Sequence, residues 1–209
     1  MIGLEIISAL VLLVLGYLIG SIPVGYVVGR YIFKKDLFSH GSRSMGTTNA
    51  IRVLGPRAGF AVFAADLLKG AIPALTAGLV MPDHPEIQAL VGLAAVVGHS
   101  WSLWVGLKGG KGVATSGGVF LAVAPLAVLG CSVVWLVVFL ITRTSSLGSL
   151  SAVLAALPLL YVLPHREGPA VFWFTIVLIT FIFWAHRSNI RRLLRGEEKS
   201  FENGSEDRI

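Results

Sequence analysis

The fold is decided by residues 113–141, VATSGGVFLAVAPLAVLGCSVVWLVVFLI, a largely apolar run of 29 residues. As one helix it would reach about 43 Å, at roughly 1.5 Å per residue, whereas the hydrocarbon core of a bilayer is roughly 30 Å thick. Pro125 lies near the middle of the run, and a proline inside a helix removes a backbone hydrogen bond and kinks or breaks the helix. We therefore expect two short helices that form a hairpin, divided at Pro125.

The composition of the whole chain indicates a membrane protein. Of its 209 residues, 55% are hydrophobic and 13% are charged, and the mean hydropathy is +0.81. A soluble domain of this length could not bury that much apolar surface, so we expect an all-α integral membrane protein with the lipid bilayer as its partner. The net charge of +6 could suit nucleic acid, but membrane proteins concentrate Lys and Arg in cytoplasmic loops. We therefore expect no nucleic-acid partner.

Further apolar runs accompany the hairpin, at about residues 6–28, 58–80, 87–107, 150–163 and 169–184. Pro23 interrupts the first of them. Together with the divided run, they predict about seven membrane helices, some short or broken. We expect residues 1–199 to form one membrane-embedded domain and residues 200–209 to form a polar tail.

Three basic, polar segments determine the expected orientation: Gly41–Gly55, Lys108–Thr115 and His186–Lys199. Because Lys and Arg favour the cytoplasmic side, we expect all three segments on that face. This requires residues 113–141 to return the chain to the face from which they start. The N-terminus is then expected outside the cell and the C-terminus inside.

The segment Lys108–Gly112, KGGKG, has the composition of a phosphate-binding loop. Glycine allows several backbone N–H groups to turn toward one anion, and a helix starting near Val113 would point its positive end there. The expected phosphate-binding residues are Lys108, Gly109, Gly110, Lys111 and Gly112. The alternative is a flexible loop whose lysines only set the topology.

The segment Gly41–Gly55 offers hydroxyl, amide and guanidinium groups, on Ser42, Arg43, Ser44, Thr47, Thr48, Asn49 and Arg52. Hydroxyls and an amide can hold the oxygens of a polyol, and Arg52 can make a bidentate contact to phosphate. Thr48 and Asn49 are therefore expected to bind substrate. Alternatively, one of these two residues is the N-cap of a helix, which is compatible because a cap and an anion use the same N–H groups.

The third segment places His186 and Asn189 three residues apart, on one helix face. Histidine could act as an acid, a base or a donor to phosphate. Taken alone, the pattern favours the alternative of an interfacial helix end whose basic residues meet lipid headgroups. Neither a second histidine nor a carboxylate stands at metal-ligand spacing, so we expect no metal.

Two charged residues lie well inside the second apolar run, Asp66 and Lys69. Because ions are costly inside a membrane, we expect them to pair, and a structural ion pair is favoured over direct chemistry. His99 is expected to be buried and hydrogen-bonded, and Cys131 to pack in the interior. Ser145, Ser146 and Ser149 either line the site or cap the helix that follows.

Taken together, these motifs resemble the bacterial acyl-phosphate:glycerol-3-phosphate acyltransferase family, over nearly the whole chain. The motifs that carry the resemblance are Gly20–Pro23, Gly41–Gly55, Asp66-x-x-Lys69-Gly70, Gly98-His99 leading into Lys108–Thr115, Ser145–Ser149, and His186-Arg-x-Asn189-Ile with Gly196-x-Glu198. The sequence departs from the family pattern at Arg43 and Ser44, where Gly and Asn are expected, at Thr47 in place of Ala, and at Ser102 in place of Pro. These departures bear on the local loop geometry.

The resemblance implies transfer of a fatty acyl group from acyl phosphate to the 1-hydroxyl of glycerol 3-phosphate, at the cytoplasmic side of the bacterial inner membrane and without a cofactor. It implies active-site roles for Ser42, Arg52, Lys111, Ser149, His186 and Asn189, and a structural role for Glu198. Because no histidine is followed five positions later by Asp, the motif of other glycerolipid acyltransferases, we expect direct attack without an acyl-enzyme. The base is then His186 or a substrate phosphate oxygen.

Two other classes of function fit parts of the sequence. A transporter for phosphorylated metabolites would suit the intramembrane charges and broken helices, although the basic segments crowd one face and the halves show no repeat. A non-catalytic scaffold for anionic lipid would need the basic residues but not Asn189 or Ser149.

Overall fold

The computed structural model describes residues 2–164, 169–198 and 200, and through these residues every regular element is helical. The α-helices are α1 Ile2–Ser21, α2 Val24–Val27, α3 Thr47–Leu54, α4 Pro56–Val80, α5 Pro85–Ser100, α6 Val113–Val123, α7 Pro125–Thr142, α8 Ser145–Val162, α9 Pro169–Ala185 and α10 Arg187–Leu194. A π-helical turn, Val28–Ile32, continues α2, and a 3₁₀ turn, Leu103–Val105, follows α5. The expected all-α class is confirmed. The predicted tail lies outside the described residues, except Ser200.

Four stretches are long and apolar enough to cross a membrane: residues 3–32, 56–80, 125–142 and 145–162. A fifth is obtained if α9 and α10, which meet at 61°, form one broken span. The helix α7 is the most peripheral of these, since Leu129 and Val133 on it are 59% and 61% exposed. Such exposure of large apolar side chains is what lipid, rather than water, can cover.

The predicted division of residues 113–141 is confirmed. The chain leaves α6 at Ala124, whose φ of −153° is not helical, and α7 begins at Pro125. Proline is well accommodated as the first residue of a helix, because the N–H that it lacks would have no partner there. The two helices have 11 and 18 residues.

Two predicted boundaries were wrong. The sequence predicts a third membrane helix that ends at about Leu107, but α5 ends at Ser100. Gly106 and Leu107 have left-handed backbone, which cannot continue a helix. The sequence also predicts a helix that begins at about Leu150, but α8 begins at Ser145. Its serines are compatible with a helix because the Ser149 hydroxyl donates to the Ser145 carbonyl, 2.9 Å away.

The expected ion pair is confirmed, and it explains how the first span can break. Asp66 and Lys69 are buried, with Lys69 Nζ 2.9 Å from Asp66 Oδ1. The same ammonium donates to the carbonyl of Ile22, 3.0 Å away, where α1 has ended before Pro23. The break exposes backbone acceptors inside the protein, and a buried acceptor needs a partner. His99 is buried as expected, with Nδ1 3.5 Å from Asp66 Oδ1.

The helices α4 and α6 approach each other through glycine. A methyl group on Gly70 of α4 would collide with the backbone carbonyl of Thr115, and one on Gly118 of α6 would collide with that of Leu67. Close approach of this kind is typical of membrane helices, where small residues let backbones meet. The packing brings the start of α6 against the middle of α4.

We expect Gly118→Ala to destabilise the protein, because the added methyl group meets backbone that cannot move aside. The cost should be about 1–3 kcal/mol, the usual range for overpacking. Gly117→Ala is the matched control, since the nearest atom to its added methyl would be a Val128 side-chain carbon at 3.9 Å. Thermal unfolding in detergent measures both variants, and equal melting temperatures would contradict the proposed contact.

Candidate functional site

A cavity of about 890 Å³ opens where the three basic segments meet. Its polar end is lined from the first segment by Ser42, Thr48 and Arg52, and from the other segments by Lys111, Gly112, His186, Asn189 and Glu198. Its other end lies between α6, α7, α8 and α9 and is lined by apolar side chains, among them Phe120, Val128, Leu136, Ala156, Leu178 and Ile182. The cavity therefore joins a charged mouth to an apolar interior.

Asn49 holds the loop that precedes α3. Its Nδ2 donates to the carbonyls of Leu37, His40 and Ser44, at 3.0, 3.1 and 2.8 Å, and its Oδ1 accepts from the backbone N–H of Ser42 at 2.7 Å. Asn49 is 1% exposed, and its carboxamide is thus committed to the protein backbone. The suggestion that Thr48 or Asn49 is an N-cap was wrong, because α3 begins at Thr47 with Gly46 before it.

Thr48 and Arg52 lie on the part of α3 that faces the cavity. The Thr48 hydroxyl is 2.9 Å from that of Ser145, which ties α3 to the start of α8. Arg52 is half-buried, and its positive charge acts on Lys111 across the cavity. The first basic segment therefore contributes a hydroxyl and a guanidinium to one wall of the polar end.

The glycine-rich loop presents Lys111 but not Lys108. Gly110 donates its N–H to the His99 carbonyl at 3.2 Å, and side chains on Gly109 or Gly110 would collide with His99 and Ser100. Gly112 has a φ of +81°, which glycine adopts without strain, and leads into α6 at the cavity wall. Lys108 is exposed and lines neither this cavity nor the smaller one described below. Its predicted place beside a phosphate is therefore not supported.

The third segment supplies a connected polar network. Lys111 Nζ donates to Asn189 Oδ1 at 2.5 Å, and Asn189 Nδ2 donates to Glu198 at 2.6 Å. Glu198 also accepts from the Ser146 hydroxyl at 2.7 Å and from Arg192 Nε at 2.6 Å. Because a carboxylate only accepts, it fixes the Asn189 amide with its oxygen toward Lys111.

His186 is buried at the junction of α9 and α10. Its Nδ1 lies 2.8 Å from the carbonyl of Ile182, so Nδ1 carries the proton and Nε2 is left as an acceptor. Burial, reinforced by the charge of Lys111, lowers the pKa of His186 to about 4. The imidazole is therefore neutral at physiological pH.

Two further pKa values respond to the same surroundings. Burial, with the charges of Arg192 and Arg52, lowers the pKa of Lys111 to about 8, although Glu198 opposes the shift. Glu198 itself is partly desolvated, which favours its neutral form, but hydrogen bonds from Asn189, Ser146 and Arg192 outweigh this and lower its pKa. The polar end thus holds the ammonium of Lys111, whose pKa is close to physiological pH, beside the carboxylate of Glu198, which stays ionised.

The serines of α8 line the cavity and also bond within the protein. The Ser149 hydroxyl accepts from Trp135 Nε1 at 3.3 Å while donating to its own helix. Ser146 lines the cavity, one of the two alternatives given for it, whereas Trp135 and Arg192 were not predicted as site residues. Arg192 could have been suspected from the polar residues beside Asn189, but the indole contact joins two helices and leaves no sequence pattern. Cys131 is half-buried and lines the apolar part.

A smaller cavity of about 320 Å³ adjoins the first and shares Ser42, Ser44 and Lys111 with it. Its lining is basic and aromatic, with Arg43, Arg187, Arg191, Trp101 and Trp184. The Arg187 guanidinium lies 4.3 Å from the centre of the Trp184 ring and donates to the Trp184 carbonyl at 3.0 Å. The two cavities are called the large and the small chamber below.

Comparison with known proteins agrees with this architecture. The family model described as glycerol-3-phosphate acyltransferase matches residues 10–196. A glycerol-3-phosphate acyltransferase of Myxococcus xanthus is 42% identical over 194 residues, which are 93% of this chain and 99% of that protein. A glycerol-3-phosphate acyltransferase 2 of Moorella thermoacetica is 43% identical over 189 residues, or 90% of this chain and 95% of that protein.

The fold is similar to that of PlsY (YgiH), an integral membrane glycerol 3-phosphate acyltransferase solved by crystallography. Its glycerol 3-phosphate form superposes with a TM-score of 0.87 at 42% identity, over 93% of this chain and 96% of that chain. Its lysophosphatidic acid form gives a TM-score of 0.85 at 40% identity, over 96% and 97% of the two chains.

Glu198→Gln should destabilise the end of the protein that carries the site. The change removes the negative charge that three donors share, and losing charge-assisted hydrogen bonds of this kind costs about 1–3 kcal/mol. Glu197→Gln is the matched control, because Glu197 is the adjacent glutamate and its side chain is exposed. Thermal unfolding near neutral pH compares them, and a Glu198→Gln protein as stable as the control would contradict the structural role of Glu198.

Proposed function

Because this chain belongs to the glycerol-3-phosphate acyltransferase family, we propose that it transfers a fatty acyl group from acyl phosphate to the 1-hydroxyl of glycerol 3-phosphate. The products are lysophosphatidic acid and inorganic phosphate, in the first step of bacterial phospholipid synthesis. The chain is an integral membrane enzyme, and both of its substrates carry phosphate.

The observation that carries the proposal is the large chamber, whose charged mouth leads to an apolar interior. Arg52 and Lys111 stand at the mouth and would neutralise substrate phosphate, with Gly112 and the start of α6 adding backbone dipoles. The acyl chain would lie between α6, α7, α8 and α9, where burial of each methylene contributes about 0.8 kcal/mol. A transporter would not need this amphipathic division within one chamber.

The chemistry needs only positioning and charge. The 1-hydroxyl oxygen attacks the acyl carbonyl carbon and forms the ester bond, while the bond from that carbon to the phosphate oxygen breaks. Its electron pair leaves with the phosphate, which also takes the hydroxyl proton. Acyl phosphate is an activated donor, so cations placed around the leaving group can supply much of the rate.

The proton acceptor is assigned to a phosphate oxygen of the donor rather than to His186. An imidazole whose pKa is held at about 4 is a weak base at neutral pH. Its unprotonated Nε2 can instead accept a hydrogen bond from the substrate hydroxyl and orient it. Ser42, Ser149, Asn189 and Thr48 supply further polar contacts around the mouth, whereas Asn49 is assigned to the scaffold of the loop.

The orientation that we propose has seven membrane helices: α1 with α2, then α4, α5, α6, α7, α8 and α9. The separation of α6 from α7 supports it, because two helices that form a hairpin would return the chain to the face from which it came. The basic segments, brought together around one mouth, favour the cytoplasmic side of the inner membrane. The N-terminus is then outside, and residues 1–199 form one domain.

Purified protein in detergent should release inorganic phosphate only when acyl phosphate and glycerol 3-phosphate are both present. Lys111→Met should lower kcat/KM by about 10²–10³, the usual loss when one group that stabilises developing charge is removed. Lys108→Met is the matched control from the same loop and should retain activity, since Lys108 is exposed and lines neither chamber.

Absence of phosphate release at every acyl-chain length would contradict the proposed reaction. Uptake of glycerol 3-phosphate into vesicles without acyl transfer would favour a transporter instead. Similar losses in Lys108→Met and Lys111→Met would contradict the assignment of Lys111 to the site.

The activity should fall at alkaline pH with the titration of Lys111. Its pKa in the free enzyme is about 8, and the ammonium is the form that binds phosphate, so kcat/KM should be flat below that pH and decrease about tenfold per pH unit above it. In Lys111→Arg the overall rate is lower but this decrease should disappear, because arginine stays charged. His186→Gln should keep the decrease. An unchanged alkaline decrease in Lys111→Arg would contradict the assignment.

A further inference from the structure

The small chamber has a cation in a strained position at its rim. Arg43 has a φ of +55°, the left-handed region in which a side chain crowds its own backbone and which glycine occupies freely. Such conformations persist only where the surroundings enforce them, and they cluster at functional sites. The strained backbone of Arg43 therefore indicates that its side chain has a function.

The surroundings that enforce this conformation are visible. The Arg43 N–H donates to the His40 carbonyl at 3.0 Å. On either side, the Ser42 N–H and the Ser44 carbonyl are both bound by the buried amide of Asn49. The loop is thus fixed at the residues before and after Arg43, and the exposed side chain projects from a rigid support.

The charges around the small chamber all have one sign. Arg43, Lys111, Arg187 and Arg191 line it, and no carboxylate is among its described lining residues. All three arginines are exposed, and Arg187 is also anchored on Trp184. Like charges that line one cavity repel one another, and a bound anion would offset this repulsion, so the arrangement favours a bound dianion.

The shape of the chamber favours a small polar ligand. Its volume is about 320 Å³, and its described walls are glycine, serine, lysine, arginine and tryptophan residues with a single alanine. The apolar interior belongs to the large chamber, and the two meet at Ser42, Ser44 and Lys111. A phosphomonoester without an acyl chain fits the small chamber, and a ligand with one fits the large.

We propose that Arg43, with Arg187 and Arg191, forms an outer phosphate site that captures glycerol 3-phosphate and passes it to Lys111. The inference rests on the proposed function, since it assigns the acceptor to one chamber and the acyl donor to the other. Arg43 is then a residue that determines affinity for the acceptor and takes no part in the chemical step.

The test is the kinetics of Arg43→Gly and Arg43→Lys in detergent. For Arg43→Gly we expect the KM for glycerol 3-phosphate to rise about fivefold, the effect of losing one exposed charge-assisted contact, with kcat and the KM for acyl phosphate within about twofold. The melting temperature should rise, because glycine relieves the strained backbone. Arg43→Lys keeps the charge and should stay close to the parent KM.

Lys34→Gly is the matched control, because Lys34 has the same left-handed backbone, with a φ of +56°, and lines neither chamber. It should gain stability in the same way and keep both KM values. Calorimetry of glycerol 3-phosphate binding, with no donor present, measures the outer site without turnover. Weaker binding by Arg43→Gly supports the site even if the parent protein transfers no acyl group, which would be a failure of the proposed function alone.

Three results would overturn the inference. One is an unchanged KM and unchanged calorimetric affinity for glycerol 3-phosphate in Arg43→Gly. Another is a rise in KM confined to acyl phosphate, which would place the donor in the small chamber. The last is an effect of Arg43→Gly that appears only in vesicles containing phosphatidylglycerol and not in phosphatidylcholine vesicles or detergent, which would make the ligand a lipid headgroup.

Discussion

The buried ammonium of Lys69 helps to hold three parts of the protein in their relative positions: the broken first span, the second span and the glycine-rich loop. It lies inside α4, paired with Asp66, and it donates to the carbonyl that α1 leaves open before Pro23. On the other side of the pair, Asp66 faces His99 at the end of α5, whose carbonyl holds the Gly110 N–H. One buried ion pair thus links the broken first span, the second span and the glycine-rich loop. A pair that satisfies the backbone as well as itself offsets much of the cost of burying two charges.

The polar end of the large chamber is built from groups of two kinds. Asn49 and Glu198 are bound by the protein on several sides, and they hold other residues in place. Lys111 and His186 are held on one side only, which leaves donors on the ammonium and one ring nitrogen for a ligand. This division keeps the charges preorganised before substrate arrives, so little reorganisation is needed during the reaction. It also accounts for the pKa of Lys111, which is lowered by burial among other cations and would rise again when a phosphate dianion binds.

Much of the fold could be predicted because its determinants are local. The division between α6 and α7 follows from one proline in an apolar run, and the ion pair follows from two charges three residues apart in a membrane helix. The three basic segments, which the sequence predicts on one face, line one cavity. What could not be predicted depends on side-chain contacts and loop conformations that sequence spacing does not reveal. Asn49 looked like a ligand for a polyol until its amide was seen to bind the loop, and Lys108 looked equivalent to Lys111 until the loop placed only one of them in a chamber. The hydrogen bond from Trp135 to Ser149 joins α7 to α8, and no spacing in the sequence predicts such a contact.

The loop at the mouth of the site is held independently of the Arg43 side chain. The Asn49 amide holds the loop by binding backbone atoms of Ser42 and Ser44. This support does not depend on the side chain of Arg43, which lies between them. A glycine there would suit the left-handed backbone best, and arginine is accepted at the cost of local strain because the Asn49 amide fixes both neighbours. The charge of Arg43 adds to the field at the entrance, which Lys111 also lines. With the proposed outer phosphate site, affinity for a charged substrate would be set at the rim, apart from Lys111 and Arg52, by a side chain that stands on a rigid scaffold.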